Sequence, residues 1–313
     1  MFDRPPFAGF SPFLRLFLVL SLMMLSAGVF FYLSAAVLYQ IWGITLTEGQ
    51  LMTAEAISRN PLSFLVFQSL QSAIGLFIFP AVMAALAISG RPLAYLGLGG
   101  GHHIPFVLLT AVVLSAGLSL SLFTDGHVFL EKKAPWAELR SFIAQARLAA
   151  EQQKDLLQGL FRPQGTGYLL MLFIGLSVLP AVGEELMFRG VIQRELGHTL
   201  LGQRGAILVA ALLFSVMHAD WYNALALWFM GILLGCMYYW TGTLWASIFA
   251  HGLNNACFVL WEWGVAQGHI PSAWADDAPL PLWISGLSAG CLLFLLYLLF
   301  SQRKPSGMPA AKE

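Results

Sequence analysis

Tyr168-Leu-Leu-Met-Leu-Phe-Ile-Gly-Leu-Ser-Val-Leu-Pro-Ala-Val-Gly183-Glu184-Glu185-Leu-Met-Phe-Arg189-Gly190 is the stretch on which the fold turns. Fifteen residues without a charge, Tyr168 to Val182, run straight into two adjacent carboxylates and an arginine. An apolar run of this kind reads as a membrane span, and ionisable side chains inside a span are costly enough to mark a functional site by default. Composition supports the membrane reading. The 313 residues are 58% hydrophobic and 10% charged, with a mean hydropathy of +0.74, against about 25% charged for a soluble domain.

Working outward, the chain divides into about eight apolar segments, each near the roughly 20 residues that a spanning helix needs. They fall at about 14–38, 61–89, 104–123, 168–196, 206–218, 222–240, 243–263 and 282–300. The expected fold is therefore an all-α polytopic bundle forming one integral membrane domain. It comprises N-terminal spans and a connector (1–164), a core carrying the unusual polar residues (165–265), and a last span with a basic tail (266–313). The first segment follows Arg4 and Arg15 but is long for a signal peptide and lacks a small-residue cleavage site, so it reads as a retained anchor.

Between Thr124 and Gly165 the charge density rises, and Trp136, Leu139, Phe142, Ile143, Ala146, Ala149 and Ala150 recur at helical spacing among charged residues. This predicts one amphipathic helix lying in the membrane interface or capping the bundle. Eight spans put both termini on one side. Arg4, Arg15, Arg91, Arg194, Arg204 and the tail with Arg303, Lys304 and Lys312 then make that side the cytoplasmic one of the cell (inner) membrane. Trp221, Trp240, Trp245, Trp261 and Trp263 fall at span ends, as an aromatic belt requires, and Gly231 and Gly235 form a pair suited to close helix packing. Zero net charge and the absence of a basic run exclude nucleic acid as a partner. Cys236, Cys257 and Cys291 are too scattered for a disulfide framework and read as small core residues; His102, His103, His127, His198 and His269 lie in loops or near span ends and take no role.

Helical geometry decides which polar residues of the core can cooperate. Glu185 and Arg189, four apart, share a face, while Glu184 points about 100° away. Glu184 and His218 stand 18 and 16 residues on either side of Gly202. An antiparallel hairpin brings them to equal depth. His251 lies about 13 Å in from the turn at Thr241-Gly242, with Asn255 one turn further on the same face and Asn254 rotated off it. A glutamate beside a histidine can hold a water and take its proton. A second histidine and an amide opposite are donors of the kind that stabilise an oxyanion. Together they describe amide-bond hydrolysis without a covalent intermediate.

Glu184-Glu185-x-x-x-Arg189, Phe214-x-x-x-His218 and His251-x-x-x-Asn255, in this order, resemble the three motifs of the CAAX prenyl protease and bacteriocin-processing family of intramembrane proteases, over about Gly165 to Trp263. The resemblance implies that Glu184 activates the catalytic water with His218 and that His251 and Asn255 bind the oxyanion. It also implies that Glu185 and Arg189 organise the site and that Phe214 packs against it. The expected substrate is a peptide or membrane-anchored protein precursor held at the lipid bilayer. No cofactor is expected. A zinc ion on Glu184, His218 and His251 is the alternative, because two histidines and a glutamate are a catalytic zinc set although no His-Glu-x-x-His spacing occurs. Rival functions are a non-catalytic immunity or scaffold protein of the same fold and a transporter relaying protons through Glu184 and His218.

Overall fold

The computed structural model describes residues 5–45, 53–99, 106–119, 121–161, 166–271 and 281–301. Arg4, His102, His103 and the basic tail lie outside them, as does the His127 side chain. Every regular element among the described residues is helical. In chain order they are α1 (Pro12–Trp42), α2 (Ala54–Arg59), α3 (Pro61–Ile88), α4 (Pro92–Tyr95), α5 (Phe106–Ser119), α6 (Ser121–Lys133), α7 (Ala137–Gln158), α8 (Gly167–Gly197), α9 (Gly202–Met217), α10 (Ala224–Thr241), α11 (Leu244–Ala266) and α12 (Leu282–Ser301).

Each of the eight expected spans is a helix. Five of them, α1, α3, α8, α10 and α12, are long and apolar enough to cross a membrane, and the protein is an integral membrane protein. Helices α5 and α9 are apolar but shorter. Helix α11 has the length but carries His251, Asn254 and Asn255 in its middle. One boundary differs from expectation: α6 is helical through residues 124–133, which the sequence reading gave to a polar connector.

Contacts between chain-distant residues sort the helix ends onto two faces. On one, Arg15 at the start of α1 meets Glu195 near the end of α8, Leu244 N–H donates to Gly97 O, and Trp240 packs on Phe300 near the end of α12 at 5.6 Å. The start of α1 and the end of α12 therefore share this terminal face. On the opposite face Ile57 of α2, Leu160 and Phe161 after α7, Leu172 of α8 and Val259 of α11 form a separate apolar cluster. Helix α7 lies here, burying Ile143 and Ala146 while Phe142 and Leu148, and Trp136 just before the helix, remain exposed.

Helix α8 runs through the centre, packed on α3, α9, α10 and α11. It contains two π-helical stretches, Phe173–Val178 and Leu186–Gln193, and α3 contains a third, Ser69–Ile78. In α3 and α8 a proline, Pro80 or Pro180, follows two residues after a stretch. Proline lacks the N–H that the carbonyl four residues back would receive and its ring clashes there, and wider winding accommodates both. Gly183 lies where α8 meets α3, and a Cβ there would sit 2.8 Å from Ala73 O. The Gly231/Gly235 pair serves the close approach expected of it, with Ala211 of α9 against Gly231 and Ile207 and Gln193 against Gly235.

Two readings change. Arg15 and Arg194, which the positive-inside count placed on the terminal face, lie there within a largely buried cluster. Glu195, fully buried, pairs with Arg15 at 3.5 Å and accepts from the Tyr95 hydroxyl at 2.6 Å. Arg194 donates to Tyr95 O at 2.9 Å and stacks over its ring. Burial, and then the Glu195 carboxylate, hold the Tyr95 phenol well above its usual pKa. Arg91 and Arg204 are exposed on the terminal face. The second change concerns the cysteines: Cys236 is partly buried, but Cys257 and Cys291 are exposed rather than in the core.

Candidate active site

Glu184 and Glu185 lie at the middle of α8, 17 and 18 residues after Gly167 and 13 and 12 before Gly197. Glu185 is fully buried and Arg189 is 1% exposed. Arg189 Nη1 donates to Glu185 Oε1 at 2.7 Å and Nη2 to Gly231 O at 3.1 Å. Its guanidinium lies 4.6 Å from the centre of the Phe214 ring. The expected i,i+4 pair therefore forms, and α10 supplies a further acceptor through the carbonyl of one of its packing glycines.

Glu185 has a second partner that helix-face reasoning missed. His251 Nδ1 lies 2.9 Å from the same Oε1, so the carboxylate joins Arg189 of its own helix to His251 of α11. A signal was available, since two carboxylates beside one arginine leave a negative charge that a histidine at the same depth can meet. Asn255, one turn past His251, is half-buried and makes no hydrogen bond among the described residues. Asn254 is likewise half-buried.

Glu184 takes the other direction. Its Oε2 faces His218 Nε2 at 3.7 Å and His251 Nε2 at 3.9 Å, bringing α8, α9 and α11 together as the hairpin argument expects. That oxygen is buried and receives no hydrogen bond among the described residues. Each imidazole is oriented through its other nitrogen: His218 Nδ1 lies 2.7 Å from Phe214 O, a contact only an N–H can satisfy, and His251 Nδ1 faces Glu185. His218 Nε2 thus presents its lone pair to Glu184 when the ring is neutral. Ala219, next in the chain, has φ of 52°. This left-handed residue ends α9 and turns the backbone away immediately after His218.

Phe214 packs all of this together. It is 2% exposed, with ring centroids at 4.5 Å to His218, 5.7 Å to His251 and 5.4 Å to Phe188. Gln193, not singled out from the sequence, is 1% exposed and donates to Gly235 O at 3.2 Å. It continues the Glu185–Arg189 stripe along α8, and its apolar neighbours gave no hint of it.

The zinc alternative names donors of the right chemistry, with Glu184 Oε2 standing 3.7 and 3.9 Å from the two imidazole nitrogens against roughly 3.4 Å between donors about 2.0–2.1 Å from a tetrahedral zinc. Among the described residues no group of three His, Cys, Asp or Glu is placed to hold a metal ion.

A polytopic helical bundle whose α8, α9 and α11 bring two carboxylates and two imidazoles together defines an integral membrane protein with a cluster of ionisable groups in its interior. Residues 166–257 match the family model described as Rce1-like, type II CAAX prenyl endopeptidase. That stretch carries all three motifs, and over it the chain is similar to this endopeptidase family. An uncharacterized protein of Bacillus subtilis (strain 168), YpbD, is 35% identical over 89 residues, covering 27% of this chain and 42% of that relative. The chain thus matches under half the length of this curated relative. No solved structure matches it.

Proposed function

We propose that the protein is an intramembrane endopeptidase that hydrolyses a peptide bond of a membrane-associated protein or peptide precursor with a water activated by Glu184 and His218. The observation that carries this reading is the buried Glu184 Oε2, which lacks a hydrogen-bond donor among the described residues while two oriented imidazoles stand 3.7 and 3.9 Å away. Separations of this size between polar groups suit a bridging water.

In the proposed reaction the water lies between Glu184 and the His218 Nε2 lone pair. Glu184 takes a proton as the water oxygen bonds to the scissile carbonyl carbon. The carbonyl oxygen becomes an oxyanion facing His251 and Asn255. Glu185, shared between Arg189 and His251, holds the His251 ring through Nδ1 so that Nε2 faces Glu184 and the reacting carbonyl. The C–N bond then breaks and the proton held by Glu184 passes to the leaving amine. Phe214 fixes both rings and supplies the carbonyl that orients His218. Each of these steps uses only the chain's own side chains and water.

The orientation we propose keeps both termini in the cytoplasm, supported by exposed Arg91 and Arg204 on the terminal face. The direct test of the reaction is cleavage by the purified protein in lipid. Glu184→Gln and His218→Ala are each expected to abolish processing while the protein inserts normally. Full biological function in Glu184→Gln would refute the hydrolase reading.

A further inference from the structure

Helix lengths give the site an open side. Helix α9 has 16 residues and α10 has 18, about 24 and 27 Å, against roughly 46 Å for the 31 residues of α8. Starting from the terminal face, α9 therefore ends at the level of Glu184. Residues 218–223 turn there, and α10 returns to the same face. Beyond this turn α8 continues toward the opposite face for about 25 Å. That part is still apolar and outward-facing, with Leu170 63%, Ile174 45% and Val178 50% exposed, and so is α11, with Phe258 45% and Trp261 42% exposed. The short hairpin thus leaves these faces of α8 and α11 uncovered beyond residues 218–223.

That turn is not built for lipid. Irregular backbone is tolerated at membrane depth only where protein buries it or water reaches it. Ala219 and Trp221 are exposed, while His218, Asp220 and Asn223 are half-buried. Asp220 turns inward on the backbone N–H and side-chain amide of Asn223, at 3.1 and 2.8 Å. Toward the terminal face the way is shut. Every residue of α8 from Glu185 to Leu196 is buried, behind a core that includes Phe188, Val191, Ile192, Tyr95, Leu96 and Leu244.

We infer that water and polypeptide substrate reach Glu184 from the face opposite the termini, through a hydrated notch bounded by the 218–223 turn and the polar middle of α11. The substrate class this admits is a chain segment lying on, or drawn from, that face. The inference about substrate rests on the peptidase reading, while the access of water does not.

Side-specific cysteine labelling tests it. In an otherwise cysteine-free protein in intact cells, Trp221→Cys is probed with a membrane-impermeant maleimide before and after lysis. Gln153→Cys on α7 and Leu200→Cys in the α8–α9 turn, 104% exposed, report the opposite and terminal faces. The expected result is that Trp221→Cys labels from the Gln153→Cys side and not from the Leu200→Cys side. Labelling from the Leu200→Cys side, or from neither side, overturns the inference. Asp220→Cys repeats the test where Trp221→Cys is not inserted. Repeating it in Glu184→Gln, which leaves access unchanged, separates failure of the access route from failure of the peptidase reading.

Discussion

Neighbouring glutamates on one helix are expected to respond in opposite ways to the same substitution. Glu185 is fully buried and bonded to Arg189 at 2.7 Å and to His251 at 2.9 Å. Glu185→Gln leaves a guanidinium that is 1% exposed facing a neutral amide. Breaking a buried ion pair from one side costs about 3–5 kcal/mol, and each 1.4 kcal/mol is about tenfold in the folding equilibrium. Among the described residues nothing hydrogen-bonds the buried oxygen of Glu184, so Glu184→Gln is expected to cost less than about 1 kcal/mol while abolishing cleavage. The assay is unfolding in detergent, followed by the fluorescence of the ten tryptophans, alongside the yield of inserted protein. The double variant Glu185→Gln/Arg189→Met removes both charges and should recover a large part of the stability lost in Glu185→Gln, because the penalty lies in the uncompensated partner. Equal destabilisation by Glu184→Gln and Glu185→Gln, or a double variant no more stable than Glu185→Gln, would refute the reasoning.

Other outcomes follow from the packing. Gly231→Ala drives a Cβ to 2.9 Å from Ala211 Cβ and 3.0 Å from its Cα, whereas the closest atom to a Cβ at Gly235 is the end of the Gln193 side chain at 2.7 Å. Gly231→Ala is therefore expected to destabilise by about 1–3 kcal/mol and Gly235→Ala by less, read by the same unfolding assay. Glu195→Gln should lower stability by about 3 kcal/mol through Arg15 and Tyr95, yet leave the kcat of the folded fraction intact, because its cluster lies at the end of α8 and not at Glu184. Phe214→Leu should reduce kcat more than it raises KM, since the lost ring orients His218 and His251. Metal analysis of purified, active protein should find zinc below one equivalent. Stoichiometric zinc whose removal abolishes cleavage would replace the proposed water activation.

Hydropathy made the eight helices legible because each needs only a run of apolar residues, and α7 was legible through its helical spacing. Helical rise alone brought Glu184 and His218 to one depth. Burial and pairing between distant segments were harder to read. Arg15 and Arg194 look like cytoplasmic loop charges until Glu195 is seen between them, because a charge count carries no information on what faces what. Glu185 was given to Arg189 on local geometry, and its contact with His251, 66 residues on, depends on how α11 packs against α8. The π-helical stretches beside Pro80 and Pro180 escaped for a related reason: proline signals a disturbance of the helix, but neighbouring helices determine how it is accommodated.

Membrane proteomes of otherwise identical cells carrying wild-type protein, Glu184→Gln or a deletion would test the central claim most directly. The account predicts that Glu184→Gln accumulates the same uncleaved precursors as the deletion while the variant protein is present in the membrane at wild-type abundance. A Glu184→Gln proteome indistinguishable from wild type, where the deletion differs, would contradict it.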